Sequence, residues 1–216
     1  MTIRTVATLI RHAEAACNAA AIVGGEKGCT GLTSLGHRQA NAVAGRISAE
    51  HHIEPYDMLV CSPRLRVRQT TEPISTATGL PYTVINDLRG PDHGDADAQP
   101  WAQIKETFGG SMQHQPDKPI APGGDSWNSY LDRATAALDR ILTEHEGNRI
   151  LIIGHSETIE AAHNLLLGLP RGSSTRVWIH SNHTAIARWR LQVNRRGRAT
   201  WLLDTHNDTQ HLAELP

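Results

Sequence analysis

At 216 residues the chain is long enough to bury one substantial core, and we expect a single domain over residues 1–216. With 39% hydrophobic and 20% charged residues it reads as globular, and a formal charge of −1 excludes the basic surplus of a nucleic-acid or anionic-membrane binder. Three cysteines without CxxC spacing, no signal-type apolar start and no run of membrane-span length predict a reduced, cytoplasmic setting.

In chain order, Val6, Ala7, Leu9 and Ile10 form a short apolar run that predicts a buried strand, ending at Arg11-His12-Ala13-Glu14. Apolar residues at helical spacing predict a helix over residues 33–50 with Thr33 as its N-cap. Residues 57–61 form a second strand, after which Ser62 is expected to cap a helix running to about Thr78, stopped by Gly79-Leu80-Pro81. Residues 82–85 form a third strand. Residues 86–125, rich in Gly, Pro, Asp and His, predict an excursion over the sheet edge with one short helix over 101–108. Leu131, Ala134, Leu138, Ile141 and Leu142 mark an amphipathic helix ended by Gly147. Residues 150–153 are the most apolar strand, followed by Gly154-His155 and by a helix over 156–167 with Gly168 at its end. Residues 184–191 and 200–203 predict a closing hairpin around Asn194-Arg195-Arg196-Gly197. The alternation predicts an α/β protein with a mainly parallel sheet between helices.

In such a sheet, ligands bind just past the carboxyl ends of the strands. Three predicted ends carry polar groups: Arg11-His12, Ser62-Pro63-Arg64-Leu65-Arg66 and Gly154-His155. Two arginines and two histidines converging there make a compact cationic pocket. Guanidinium forks match phosphoryl oxygens, and a neutral histidine can attack phosphorus in line while the other groups hold the equatorial oxygens. The 13 histidines lack acidic or Cys partners at metal-ligand spacing, so no metal is expected.

Several segments then carry a family resemblance. Arg11-His12-Ala13-Glu14 resembles the R-H-G/A-E signature of the histidine phosphatase superfamily, in its phosphoglycerate-mutase-like branch. Residues 31–40 are similar to its LT-x-x-G-x-x-QA segment, and residues 61–70 to its S-S-P-L-x-R-A-x-Q-T helix start. Gly123-Gly124-Asp125-Ser126 resembles its G-E-S element, Gly154-His155-Ser156 its G-H-G/S element, and Asn182-His183-Thr184 its late N-x-S/T strand. The resemblance implies a three-layer α/β/α fold and a phosphomonoester hydrolase of the histidine acid-type. In it His12 becomes phosphohistidine, while Arg11, Arg66 and His155 bind phosphoryl oxygens. Asn18 and Ser156 match substrate-contacting positions, Glu14 matches a structural one, and neither metal nor cofactor is implied.

One departure stands out. The family places a proton-donating glutamate in an L-x-E-x-x-x-G stretch after the third strand, and here Gly90 holds that place within Leu88-Arg89-Gly90-Pro91-Asp92-His93-Gly94. Asp92 is the first candidate for a substitute acid and Glu157 the second, with His93 and Asp95 as further residues of the excursion. The expected substrate is a small phosphorylated metabolite, with no nucleic-acid or membrane partner and with a homodimer left open. Two other readings compete. A phosphoglycerate mutase needs basic residues for a second phosphate, and the excursion offers only Arg89, Lys105 and Lys118. A protein that binds phosphorylated ligands without turnover would fit the loss of the glutamate. Trp101 and Trp127 are placed either to stack on a substrate or to pack the excursion down.

Overall fold

The computed structural model describes residues 2–170 and 176–215. Strands β1 (Thr2–Arg11), β2 (Met58–Cys61), β3 (Tyr82–Val84), β4 (Arg149–Gly154), β5 (Ile186–Val193) and β6 (Ala199–Asp208) form one sheet in the order β3-β2-β4-β1-β5-β6. The first four in that order run parallel, and the β5–β6 hairpin closes the β1 edge antiparallel. The helices are α1 (Ala16–Ala19), α2 (Ser34–Ile53), α3 (Leu65–Thr78), α4 (Trp101–Phe108), α5 (Trp127–Glu144) and α6 (Ser156–Leu167). Among the described residues no helix is long and apolar enough to cross a membrane.

The strands read as continuous apolar runs because both faces of the sheet are covered. Successive residues alternate between two cores. Leu9, Val60, Ile150 and Ile152 face Leu138, Ile141 and Ile159 of α5 and α6. Ile10, Leu59, Leu151 and Ile153 face Val43, Ile47, Val67 and Ile74 of α2 and α3. The excursion joins the first core through Leu88, Phe108, Met112 and Ile120. Its start is held from α5: Arg133 donates to the carbonyls of Asp87 (3.1 Å), Arg89 (3.0 Å) and Gly90 (3.3 Å), and to Asp125 Oδ2 (2.7 Å).

Two helix ends differ from the sequence expectation. Ser62 does not cap α3. The N-cap is Arg64, and Ser62 Oγ is taken up instead by His155 Nε2 at 2.8 Å. Helix α5 starts at Trp127, capped by Ser126, and ends at Glu144, before Gly147. Gly147 (φ 97°) instead makes the turn into β4, where its N–H donates to Thr5 Oγ1 at 2.9 Å.

Candidate active site

The sheet order places the ends of β2, β4 and β1 side by side, so Ser62, His155 and His12 stand on one rim. Arg66, in the first turn of α3, reaches across them. Its Nε donates to His12 Nε2 at 3.0 Å, Nη2 to His155 Nδ1 at 3.2 Å and Nη1 to the Gly24 carbonyl at 2.7 Å. A guanidinium only donates, so the facing ring nitrogens carry lone pairs. The tautomers follow from this network. His12 Nδ1 carries the proton and donates to the Ala13 carbonyl at 2.7 Å, leaving the lone pair on Nε2. His155 Nε2 carries its proton and donates to Ser62 Oγ.

Arg11, at the end of β1, donates from Nη1 to the Ser181 carbonyl (2.5 Å) and from Nη2 to His183 Nε2 (3.1 Å). The rings of His155 and His183 lie 5.4 and 5.8 Å from that of His12, centroid to centroid. Burial holds His12 and His155 well below the usual histidine range, reinforced by the charges of Arg66 and Arg11. Burial, then Arg11 and Arg66, lowers His183 to about 4. Three neutral imidazoles beside two buried guanidiniums make a site that is positive yet nucleophilic. Such a site can attract an anion by charge and offer it a lone pair.

The sequence motifs resolve into clamps on the loop that carries His12. The backbone N–H of Ala13 donates to Thr70 Oγ1 (3.0 Å), and that of Leu32 donates to Gln69 Oε1 (2.8 Å). The Glu14 N–H donates to Gln39 Oε1 (2.9 Å), and its carboxylate accepts from Thr33 Oγ1 (2.7 Å). A Cβ on Gly36 would sit 2.0 Å from the Glu14 carbonyl oxygen, so that helix turn tolerates only glycine. Glu14 is therefore a structural residue.

The other predicted positions separate. Asp92 accepts from Arg64 Nη2 and Arg89 Nε, both at 3.0 Å, and lines a different cavity with Gly25 and Asp97. Gly90 lies against the histidines: a Cβ there would meet the His155 ring at 3.5 Å. Asn18 Oδ1 accepts the Ala15 N–H at 3.1 Å, capping α1, while Asn18 also lines a cavity of about 390 Å³ with Pro91, His93 and Glu157. Ser156, Glu157 and Arg11 line a second cavity of about 230 Å³. Glu157, in the first turn of α6, thus borders both, and its carboxylate accepts from Ser156 Oγ at 3.0 Å. Asp95 is exposed. Sequence reasoning placed Ser62 in a polar strand end and His183 in a family motif but gave neither a role in the site. Their signal was position, one just before β5 and one just after β2, at the same sheet edge.

A model of the histidine phosphatase superfamily (branch 1) matches residues 7–208. A probable phosphoglycerate mutase GpmB of Yersinia enterocolitica is 27% identical over 207 residues, covering 94% of this chain and 93% of that protein. The metal-independent phosphoserine phosphatase of Arabidopsis thaliana is 24% identical, covering 98% and 84%. Among solved structures, a mycobacterial glucosyl-3-phosphoglycerate phosphatase aligns with a TM-score of 0.80 at 20% identity, covering 94% of this chain and 99% of that one. Phosphoserine phosphatase of Entamoeba histolytica, in complex with phosphoserine, aligns with a TM-score of 0.75 at 22% identity, covering 96% and 99%. With the family's match spanning nearly the whole chain and its motifs gathered on one sheet edge, the protein belongs to branch 1 of the histidine phosphatase superfamily.

Proposed function

We propose that the chain is a phosphomonoester hydrolase working through a phosphohistidine at His12. The observation that carries this reading is the unprotonated Nε2 of His12, set by the Nδ1 bond to Ala13, with its lone pair accepting from Arg66 and with Arg11 nearby. On substrate binding, the phosphoryl oxygens take over the N–H groups of Arg66 that now rest on the two histidines. His12 Nε2 forms a bond to phosphorus as the P–O ester bond breaks, and the leaving oxygen takes a proton. Water then attacks the phosphohistidine, releasing inorganic phosphate and restoring His12.

Glu157 supplies that proton and takes one back from the attacking water. It borders both cavities, whereas both carboxylate oxygens of Asp92 are engaged by guanidiniums. The alcohol leaves into the cavity shared by Glu157, Pro91 and His93. A mutase reading draws on the GpmB-type relatives, but among the described residues this cavity is lined by a single lysine, Lys105, to hold a second phosphate. A binding protein without turnover would keep the same anion pocket, and the loss of glutamate at Gly90 favours it.

The decisive comparison is wild type against His12→Ala on labelled alkyl and aryl phosphates. We expect label trapped on the wild-type protein after alkaline quench, none on the variant, and a loss on the order of 10⁴–10⁶-fold in phosphate release. If wild type releases no more phosphate than His12→Ala from any ester, the binding reading replaces this one.

A further inference from the structure

The cavity that receives the leaving group is walled by indole rings, and its chemistry narrows the class of alcohol. Of the five tryptophans in the chain, Trp101, Trp127 and Trp178 line this one space. Trp127 is 1% exposed and belongs to the core, but Trp178 is 57% exposed and Trp101 only half-buried. Two large apolar rings are thus left wet on the wall of a concave site of about 390 Å³, beside Met112 and Ile120. Their planes are held. Trp101 meets His93 edge-on at 5.5 Å, and His114 stacks on Trp178 at 6.1 Å with 7° between the rings.

The charges point the same way. Among the described lining residues Lys105 is the one lysine, 5.9 Å from the Trp101 ring centroid, and Glu157 is the one carboxylate residue. A leaving group with its own carboxylate or second phosphate meets one exposed cation set against one anion. A neutral flat ring meets indole surface, with contact area that requires no charge pairing. We propose that this cavity selects phosphomonoesters whose alcohol carries an uncharged aromatic or similarly flat apolar ring. The inference rests on the phosphatase reading of His12 and names the substrate class of that site.

The test uses esters of primary alcohols only, so that leaving-group acidity does not favour the ring: benzyl and 2-naphthylmethyl phosphate against glycerol 3-phosphate and phosphoserine. We expect kcat/KM for the naphthylmethyl ester to exceed that for glycerol 3-phosphate by about 10-fold or more, the scale of one stacked ring. Trp178→Ala and Trp101→Leu should each lower that ratio by about 3- to 10-fold. Trp178 lies outside the core, so its variant stays informative if Trp101→Leu destabilises the excursion. A ratio near one, or preference for phosphoserine, overturns the proposal. If no ester is turned over by wild type, the phosphatase reading fails, and fluorescence titration of His12→Ala then decides the cavity separately. Tighter binding of benzyl phosphate than of glycerol 3-phosphate, with a change in tryptophan emission, supports it; equal binding overturns it.

Discussion

His12, Arg66 and His155 stand on elements fixed by backbone pairing and helix packing, whereas the cavity bordered by Asn18 and Glu157 is walled largely by residues 86–125, whose longest regular element is the eight-residue α4. The two regions treat polar groups differently. At the rim each guanidinium nitrogen of Arg66 donates a hydrogen bond, and the imidazoles of His12 and His155 have their tautomers set by neighbours. Among the described residues the cavity wall presents wet indoles, one lysine and one carboxylate. Capturing a phosphoryl group is a demand that every substrate makes alike, so a preorganised rim serves it. The alcohol varies, and the region proposed to meet it is built from loops resting on the core.

This contrast is most exposed to failure at Glu157, which belongs to the rim by sequence and to the cavity by position. We expect Glu157→Gln to lower kcat/KM on alkyl phosphates by about 10²–10⁴-fold while nearly sparing kcat/KM on 4-nitrophenyl phosphate, whose leaving group needs no proton; kcat on both should fall, because the attack of water on phosphohistidine also loses its base. Asp92→Asn should change either rate by less than about 3-fold, since it only loosens an ion pair with Arg64 and Arg89. A large loss in Asp92→Asn with none in Glu157→Gln would move the acid to Asp92.

Arg66→Lys tests the rim itself. A lysine keeps the charge but not the fork that reaches His12, His155 and Gly24 together. The expected loss is about 10²–10³-fold in kcat/KM, the scale of removing one preorganised donor from a developing charge. A loss under about 5-fold would mean that charge alone, not the fork, holds the phosphoryl group.

The rim was legible in the sequence because backbone rules place it. Apolar runs fixed where the strands end, and Arg11, His12 and His155 had to lie there. Arg66 followed from a helix that starts soon after β2. Ser62 was misjudged because a Ser-Pro pair at a helix start usually caps, and only the packed position of His155 gives its hydroxyl another partner. The standing of Asp92 and Glu157 was not legible at all. Both are carboxylates near the edge, and what separates them is where Arg64 and Arg89 point. That depends on the path of the excursion, which no periodicity records.

Ser62→Ala should act more gently. It removes the acceptor of the His155 Nε2 proton and frees that ring to turn, at a cost of about 1 kcal/mol, or 5-fold in kcat/KM. Ser62→Thr should restore most of the rate if the hydroxyl's role is to hold the ring. Failure of the threonine variant would instead point to tight packing around Ser62, which is fully buried.

The smallest expected effect separates the rim's chemistry from its stability by pH. His12 and His155 are held well below the ordinary histidine value, and His183 at about 4, each first by burial and then by neighbouring arginine charge. The unfolded chain takes up these protons near pH 6.5 while the folded chain does not, so between that value and the folded one the unfolded state binds more protons. Stability is therefore complete above about pH 6.5 and declines as pH falls toward 4. His163, lowered by burial to about 4, adds to the same slope from outside the site. Over that upper range His12 stays neutral and nucleophilic, so kcat should persist at pH 6 and 5.5 while thermal melts already shift downward. Replacing His163 with Gln should flatten the melting slope and leave the pH–rate profile in place. If kcat instead falls with a midpoint near 6.5, His12 titrates like an exposed histidine, and the rim is wetter than its hydrogen bonds describe.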